Sequence, residues 1–108
     1  MPLSDAAVVD AIGMDMASGE VVLSLVDEMD WLDPGGHADL LGEKLNHYLG
    51  FVQAGELLVM YPESEGHATR IDIIFLWEPP NELVASLAGA ADLAASCGCS
   101  ITWRVYED

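Results

Sequence analysis

The stretch TRIDIIFLW, residues 69–77, decides the fold because it carries the clearest strand pattern in the chain. Successive side chains of a strand point to opposite faces, so the stretch has two distinct sides. The side chains predicted for the apolar side are Ile71, Ile73, Phe75 and Trp77. The other side begins with Arg70 and Asp72 and becomes apolar toward its end. This pattern is typical of a sheet with one face covered by helices.

A long helical pattern precedes this strand. The side chains that recur at three- and four-residue spacing are Leu41, Lys44, Leu45, Tyr48 and Val52. Asp33 and Pro34 have the chemistry of a helix start, because an aspartate caps free N–H groups and a proline suits the first turn. Gly55 suits the position just after a helix end. The pattern predicts an amphipathic helix of about five turns.

A second helix and a last strand follow the central stretch. The segment EPPNE opens an alanine-rich helix that starts at Asn81 or at the prolines and closes at Gly98. The segment CSITWRVY, residues 99–106, then alternates as a strand. Cys97 and Cys99 flank the turn at Gly98, and we expect both thiols to be reduced, since a bridge across one residue is strained.

Three further strands are predicted from short apolar runs. AVVDAIGMD (7–15) and VVLSLVDEM (21–29) form a hairpin around Gly19, and ELLVMYP (56–62) is a strand that Pro62 ends. The predicted fold is one α+β domain over residues 1–108, a two-layer sandwich of order ββαββαβ. Its sheet is mostly antiparallel and five-stranded, with both helices on one face. The leading strand disfavours the ferredoxin-like strand order, and the pattern leaves the order open.

The charge of the chain excludes two classes of partner. The chain has 19 acidic residues against only three basic ones, Lys44, Arg70 and Arg104, which gives a formal net charge of -16. Nucleic acids and anionic membranes are bound by clustered lysines and arginines, so neither is expected as a partner. A basic protein partner, a divalent cation, simple solubility or a high-salt cytoplasm is each compatible with such a surface.

Location and catalysis are constrained by what the sequence lacks. No apolar run reaches the length of a membrane span, and the first residues do not resemble a signal peptide, so we expect a cytoplasmic protein. No metal, nucleotide or nucleophile motif occurs, so no cofactor and no catalytic residue is predicted. A non-enzymatic role is favoured.

The segment DEMDWLDPGGH, residues 27–37, concentrates acidic side chains. Its carboxylates do not follow the alternate spacing of a calcium loop. Asp33 and His37 supply two ligands for a transition metal, which makes them weak candidates for a metal site. The simpler interpretation is that residues 27–30 end an exposed strand, Trp31 and Leu32 pack into the core edge and Asp33 caps the helix.

Two surfaces are candidates for protein contacts. The acidic residues predicted to bind a basic partner are Asp27, Glu28, Asp30, Asp33, Glu63 and Glu65. The residues predicted for a homodimer on the sheet face away from the helices are Arg70, Asp72, Leu76, Arg104 and Tyr106. Tyrosine and arginine are favoured interface anchors, and two-fold pairing is the commonest assembly. Alternatively, the arginines neutralise carboxylates such as Asp72 on neighbouring strands.

The chain as a whole resembles a group of small bacterial proteins of about a hundred residues that are known only as a domain of unknown function. The segments that carry the resemblance are DEMDW, EKLNHYLGFVQAGEL, VMYPE and IDIIFLWEPPNE. The resemblance implies a bacterial, cytosolic, stand-alone domain and carries no activity. The function predicted from the residues is an interaction or regulatory module, for example an immunity-type protein masking a basic toxin. The alternative is a domain that binds a small molecule or a divalent cation, with or without catalysis.

Overall fold

The structure, a computed structural model, describes residues 10–106. The strands are β1 (Ala11–Asp15), β2 (Glu20–Asp27), β3 (Thr69–Phe75) and β4 (Cys99–Val105). The helices are α1 (Pro34–Gln53), α2 (Glu56–Met60) and α3 (Asn81–Ala95), with a 3-10 turn at Pro62–Ser64. The α+β class is confirmed.

The four strands of the described residues form one mixed sheet in the order β1-β2-β3-β4. β1 and β2 are antiparallel, which confirms the predicted hairpin, whereas β2–β3 and β3–β4 are parallel. The prediction of a mostly antiparallel five-stranded sheet was therefore wrong. Residues 7–9 of the predicted first strand lie outside the described residues.

The wrong prediction of the sheet arose at ELLVMYP, residues 56–62. This segment was predicted as a strand, but it forms α2 and the start of the 3-10 turn. Gly55 has a φ of 78°, so it reverses the chain just after α1. A second short helix then begins, and Tyr61 N–H donates to the Leu57 carbonyl. A short apolar run cannot be assigned to strand or helix by periodicity alone. The element order is therefore ββααβαβ, not ββαββαβ.

The loss of that strand explains why the central pair is parallel. β2 and β3 are joined by α1 and α2. This helical crossover carries the chain back to the end of the sheet where β2 began, so β3 runs in the same direction as β2. Asp27, the last residue of β2, is opposite Phe75, the last residue of β3. The segments that follow β2 and β3, including the start of α1, therefore leave from the same end of the sheet, here called its carboxyl end.

The core lies between one face of the sheet and the two long helices. Ile71, Ile73 and Phe75 are completely buried, as the strand pattern predicted. Trp77 was predicted on the same face, but β3 ends at Phe75 and the Trp77 side chain is 57% exposed. The other members of the buried cluster are Val21, Leu23, Leu25, Leu41, Leu45, Tyr48, Leu57, Leu83 and Leu87. Both long helices contribute to it, so both lie on one face.

The helix ends follow the predicted local chemistry. The Asp33 carboxylate accepts a hydrogen bond from Gly36 N–H at 3.3 Å and caps α1, with Pro34 in the first turn. Gly98 has a φ of 78° between α3 and β4. Cys97 and Cys99 beside it are free thiols, as predicted. Within residues 10–106, no helix combines the length and the apolar character needed to cross a membrane.

Both arginines on the sheet face opposite the helices are paired with carboxylates. Arg104 Nε donates to Asp72 at 3.3 Å across β3 and β4, which confirms the expected neutralisation. Arg70 instead pairs with Asp15 and Glu20 of the hairpin at 3.1 and 3.2 Å. The pairs with Asp72 and Glu20 join neighbouring strands, whereas the pair with Asp15 reaches across β2 to β1.

Candidate functional site

The candidate site is built on Asp27 at the carboxyl end of β2. Asp27 continues the alternation of Val21, Leu23 and Leu25, so its side chain faces the core and is completely buried. The prediction that Asp27 ends an exposed strand was wrong for this reason. The alternation itself was the signal, because each odd-numbered position of β2 faces the helices.

His37, in the first turn of α1, is the partner of Asp27. Its Nε2 lies 2.5 Å from Asp27 Oδ2, and its Nδ1 lies 2.8 Å from the Asp30 carbonyl oxygen. The indole of Trp31 stacks on the imidazole at 3.5 Å with an interplanar angle of 16°. His37 is itself only 1% exposed. The imidazole thus connects the end of β2, the following loop and α1.

The hydrogen bonds of this pair determine how many protons it holds. A carbonyl oxygen only accepts, so His37 Nδ1 carries a hydrogen and donates it to Asp30. The short contact between Nε2 and the Asp27 carboxyl then requires one further proton, held by the ring or by the carboxyl. The pair is therefore neutral overall, which a low-dielectric interior tolerates far better than a lone carboxylate.

Burial raises the pKa of Asp27 above its usual range, because desolvation disfavours the carboxylate. The hydrogen bond from His37 acts in the opposite direction without cancelling this effect. Both ring nitrogens are engaged and the pair is closed to solvent, so in this state His37 has no nitrogen with which to accept a proton from a substrate. The arrangement fixes the loop of residues 28–33 against the sheet.

The structure does not bring Asp33 and His37 together as a ligand pair. Asp33 caps α1, while the two nitrogens of His37 face Asp27 and the Asp30 carbonyl. Across residues 10–106, no group of three or more histidine, cysteine, aspartate or glutamate side chains is arranged to hold a metal ion.

Two loops meet at the carboxyl end and expose a mixed surface. Trp31 Nε1 donates to the Trp77 carbonyl at 3.1 Å, and Leu76 N–H donates to the Asp27 carbonyl at 2.9 Å. The exposed side chains of these loops, here called the carboxyl-end rim, are Glu28, Asp30, Leu32, Asp33, Trp77 and Glu78. Leu32 was predicted to pack into the core edge, but this apolar side chain is 90% exposed, so that prediction was wrong. The rim therefore combines carboxylates with large apolar side chains.

The six acidic residues predicted for one surface are divided between three places. Asp27 is buried, and Glu28, Asp30 and Asp33 lie on the carboxyl-end rim. Glu63 and Glu65 are exposed in the turn before β3, at the amino end of the parallel strands. A seven-residue strand spans about 20 Å, so the two exposed groups are far apart. Their role in binding stays a prediction.

A shallow cavity of about 210 Å³ adjoins the rim between the first turns of α1 and α3. Its lining consists of Trp31, Pro34, Gly35, Ala38, Pro80, Glu82, Leu83 and Ser86. In open sheets with helical crossovers, ligands bind at the carboxyl ends of the strands. The small apolar lining suits a side chain of a partner as well as a small molecule.

A second buried polar cluster was not predicted. Lys44 is completely buried and its Nζ lies 2.9 Å from Asp10 Oδ1, while Asp10 Oδ2 accepts from Val26 N–H at 2.8 Å. The Tyr48 hydroxyl donates to the Ser24 carbonyl and accepts from Asp10 N–H. The signal was the position of Lys44 in the apolar stripe of α1, since a cation on the core side of a helix needs a buried partner.

The residues predicted for a homodimer remain on the face opposite the helices or at its end. Leu76 and Tyr106 follow β3 and β4 and are 41% and 51% exposed. Arg70, Asp72 and Arg104 form the ion pairs described above. The homodimer on this face stays a prediction.

Comparison with known proteins gives one assignment. No curated protein and no solved structure shows a significant match to the chain. One family model matches residues 1–107, and its description is a family of unknown function, DUF6572. This confirms the predicted membership of an uncharacterised family, and the bacterial origin stays a prediction. The chain belongs to the DUF6572 family of unknown function.

Proposed function

We propose that this domain is a non-enzymatic interaction module that binds a basic protein partner through the carboxyl-end rim. The observation that carries the proposal is the exposure of Leu32 and Trp77, at 90% and 57%, among exposed carboxylates. Aromatic side chains are frequent interface anchors, and complementary charge accelerates association. An inhibitor that masks a basic toxin is one concrete form of this function.

The charge of the rim supports the proposal. The carboxylates that take part in the ion pairs of residues 10–106 are Asp10, Asp15, Glu20, Asp27 and Asp72. Within that part of the chain, the rim carboxylates Glu28, Asp30 and Asp33 are not among them. Their charge remains available to a cation of a partner, and the chain around them carries a net charge of -16.

The rigidity of the rim also supports the proposal. The loop of residues 28–33 is held by the His37 hydrogen bond to Asp30, by the stacking of Trp31 and by the indole bond to Trp77. Within the loop, the Asp30 carboxylate also accepts from Leu32 N–H at 3.2 Å. A loop that is ordered before binding loses less conformational entropy when it binds.

The test is a capture experiment with charge variants that preserve these bonds. Glu28→Gln, Asp30→Asn and Asp33→Asn together remove three charges, and asparagine oxygens still accept the bonds that Asp30 and Asp33 accept. The matched control is Glu56→Gln, Glu63→Gln and Glu65→Gln, which removes the same charge near the opposite end. The immobilised proteins are exposed to a lysate of the producing cells at low and high salt, and the captured proteins are quantified.

We expect one basic protein to be captured at low salt by the wild type and by the control, and to be lost from the rim variant. Trp77→Ala should weaken the same capture by about tenfold, because aromatic anchors contribute more than 1 kcal/mol. Capture that survives the rim variant, or that does not respond to salt, contradicts the proposal. Glu63 and Glu65 are implicated instead if only the control loses the partner.

A further inference from the structure

The outer edge of β4 is a free edge of the sheet within the part of the chain that the structure describes. β4 pairs with β3 on one side, and no strand of residues 10–106 pairs with its other side. Trp103 is 39% exposed, and the side chain of Arg104 is 62% exposed. β4 is seven residues long and contains no proline, so it has neither of two common protections of a free edge.

The register shows which backbone groups face outward from this edge. Tyr106 N–H donates to the Phe75 carbonyl at 2.7 Å, so the even-numbered residues of β4 hydrogen-bond toward β3. Backbone groups of successive strand residues point to opposite edges. The residues whose N–H and C=O groups therefore point away from the sheet are Cys99, Ile101, Trp103 and Val105. Such a row of groups is a template for another strand.

Charge identifies the strand that fits. Residues 93–106 contain no aspartate or glutamate, although the chain has 19 acidic residues, and Arg104 adds a positive charge. A second copy of the chain meets like charge at the rim or at the amino end, but not along this edge. An apolar groove between α3 and β4 adjoins the edge and is lined by Val84, Leu87, Ala88, Ala91, Ile101 and Trp103.

We propose that two copies of this chain pair antiparallel through β4, around a two-fold axis at Thr102. In this register Ile101 is opposite Trp103 of the second copy, and β-branched and aromatic side chains form favourable cross-strand pairs. Ser100 is opposite the second copy's Arg104. The odd-numbered residues exchange hydrogen bonds, and the two sheets become one continuous sheet.

Salt should act on this dimer in the direction opposite to its effect on partner binding. Two chains of charge -16 repel one another, and salt screens that repulsion over distances beyond ~8 Å. The dimer is therefore strengthened by salt, whereas a basic partner on the rim is released by it. The two associations use different surfaces, so either can fail without the other.

The first measurement is sedimentation equilibrium of the full chain from ~10 to ~500 µM at low and high salt. We expect the mean mass to rise with concentration toward twice the 11.6 kDa of one chain, and to rise further in high salt. A monomer at the highest concentration in high salt overturns the proposal. So does a dimer that salt dissociates.

Charge substitutions at Ser100 test the register. Ser100→Lys places a cation opposite the second copy's Arg104 and should weaken dimerisation by roughly fivefold, although it makes the chain less negative. Ser100→Glu places a carboxylate there and should strengthen dimerisation, although it makes the chain more negative. Asn46→Lys and Asn46→Glu on the exposed side of α1 are the matched controls, and melting temperatures verify folding.

The alternatives give different results. If Ser100 and Asn46 substitutions act alike, only net charge matters and the edge pairing is wrong. Leu76→Glu should weaken the edge dimer no more than Asn46→Glu does, but it should break a dimer on the face opposite the helices, because Leu76 follows β3 at the end of that face. A dimer that responds to Leu76→Glu and not to Ser100 substitutions overturns the edge geometry.

Discussion

Two aspartates, Asp10 and Asp27, are enclosed between the sheet and α1, and the fold stabilises them in different ways. Asp10 accepts from the ammonium of Lys44 and from the backbone N–H of Val26. Asp27 shares a proton with the imidazole of His37. Lys44 and His37 lie two turns apart on the same side of α1. One contact is thus a fixed ion pair, whereas the other can lose its charge separation by moving a proton.

Lys44→Met should have the largest effect on stability. It leaves the Asp10 carboxylate buried without its cation, and breaking one side of a buried pair costs about 3–5 kcal/mol. Urea unfolding measures the loss. Adding Asp10→Asn to Lys44→Met should recover at least ~1 kcal/mol, since the isolated charge is then removed. A loss below ~1 kcal/mol for Lys44→Met would show that Asp10 does not depend on this cation.

His37→Ala should have a smaller effect, about 2–3 kcal/mol, although it removes an aromatic ring and leaves a cavity. Asp27 can remain in the fold as a neutral acid after the imidazole is lost, because burial already raises its pKa. Asp10, in contrast, pairs directly with the Lys44 ammonium at 2.9 Å. Urea unfolding at one pH compares the two variants. The comparison fails if His37→Ala is the more destabilising.

The Lys44–Asp10 and His37–Asp27 pairs show how far the sequence alone could predict buried polar contacts. The position of Lys44 within the apolar stripe of α1 already placed it on the core side, but its partner Asp10 lies 34 residues earlier in the chain, just before β1. The alternation that buried Asp27 was present in VVLSLVD, yet the run of acidic residues after it suggested an exposed strand end. Pairwise contacts between distant segments depend on the strand order, which local patterns do not determine.

The fold was predictable where one local signal was strong. Alternation in residues 69–75, the cap at Asp33 and the glycines at 55 and 98 gave correct elements. The parallel sheet was missed because one short apolar run, residues 56–60, is compatible with strand and helix. Once that run is helical, β2 and β3 are joined only by helices, and the carboxyl-end rim follows from their parallel register.

Asp27→Asn should show the pH dependence that distinguishes the two aspartates. The pKa of Asp27 is raised in the folded protein from an ordinary value of 3.8, so the folded state binds more protons than the unfolded state above that pH. The contribution of Asp27 to stability is therefore complete at lower pH and is lost as the pH rises through its folded pKa.

The asparagine amide donates to His37 Nε2 as a neutral Asp27 would, but it does not titrate. The variant should gain stability relative to the wild type as the pH rises from 4 through the folded pKa of Asp27. Urea unfolding of both proteins across this range measures the difference. If the variant is instead less stable at neutral pH, the pair is an aspartate–imidazolium ion pair.

Arg104→Gln should have the smallest effect on stability, because its ion pair is more exposed than the pairs of Asp10 and Asp27. Arg104 Nε lies 3.3 Å from Asp72 Oδ2, but the arginine side chain is 62% exposed, so water and salt screen the pair. Thr102 also donates to Asp72, so the carboxylate keeps a hydrogen bond after the change. The expected loss is below ~1 kcal/mol and shrinks as salt is added. A loss as large as that of Lys44→Met would mean that Arg104 is shielded from water in solution, as it would be if a second copy covered the open sheet face.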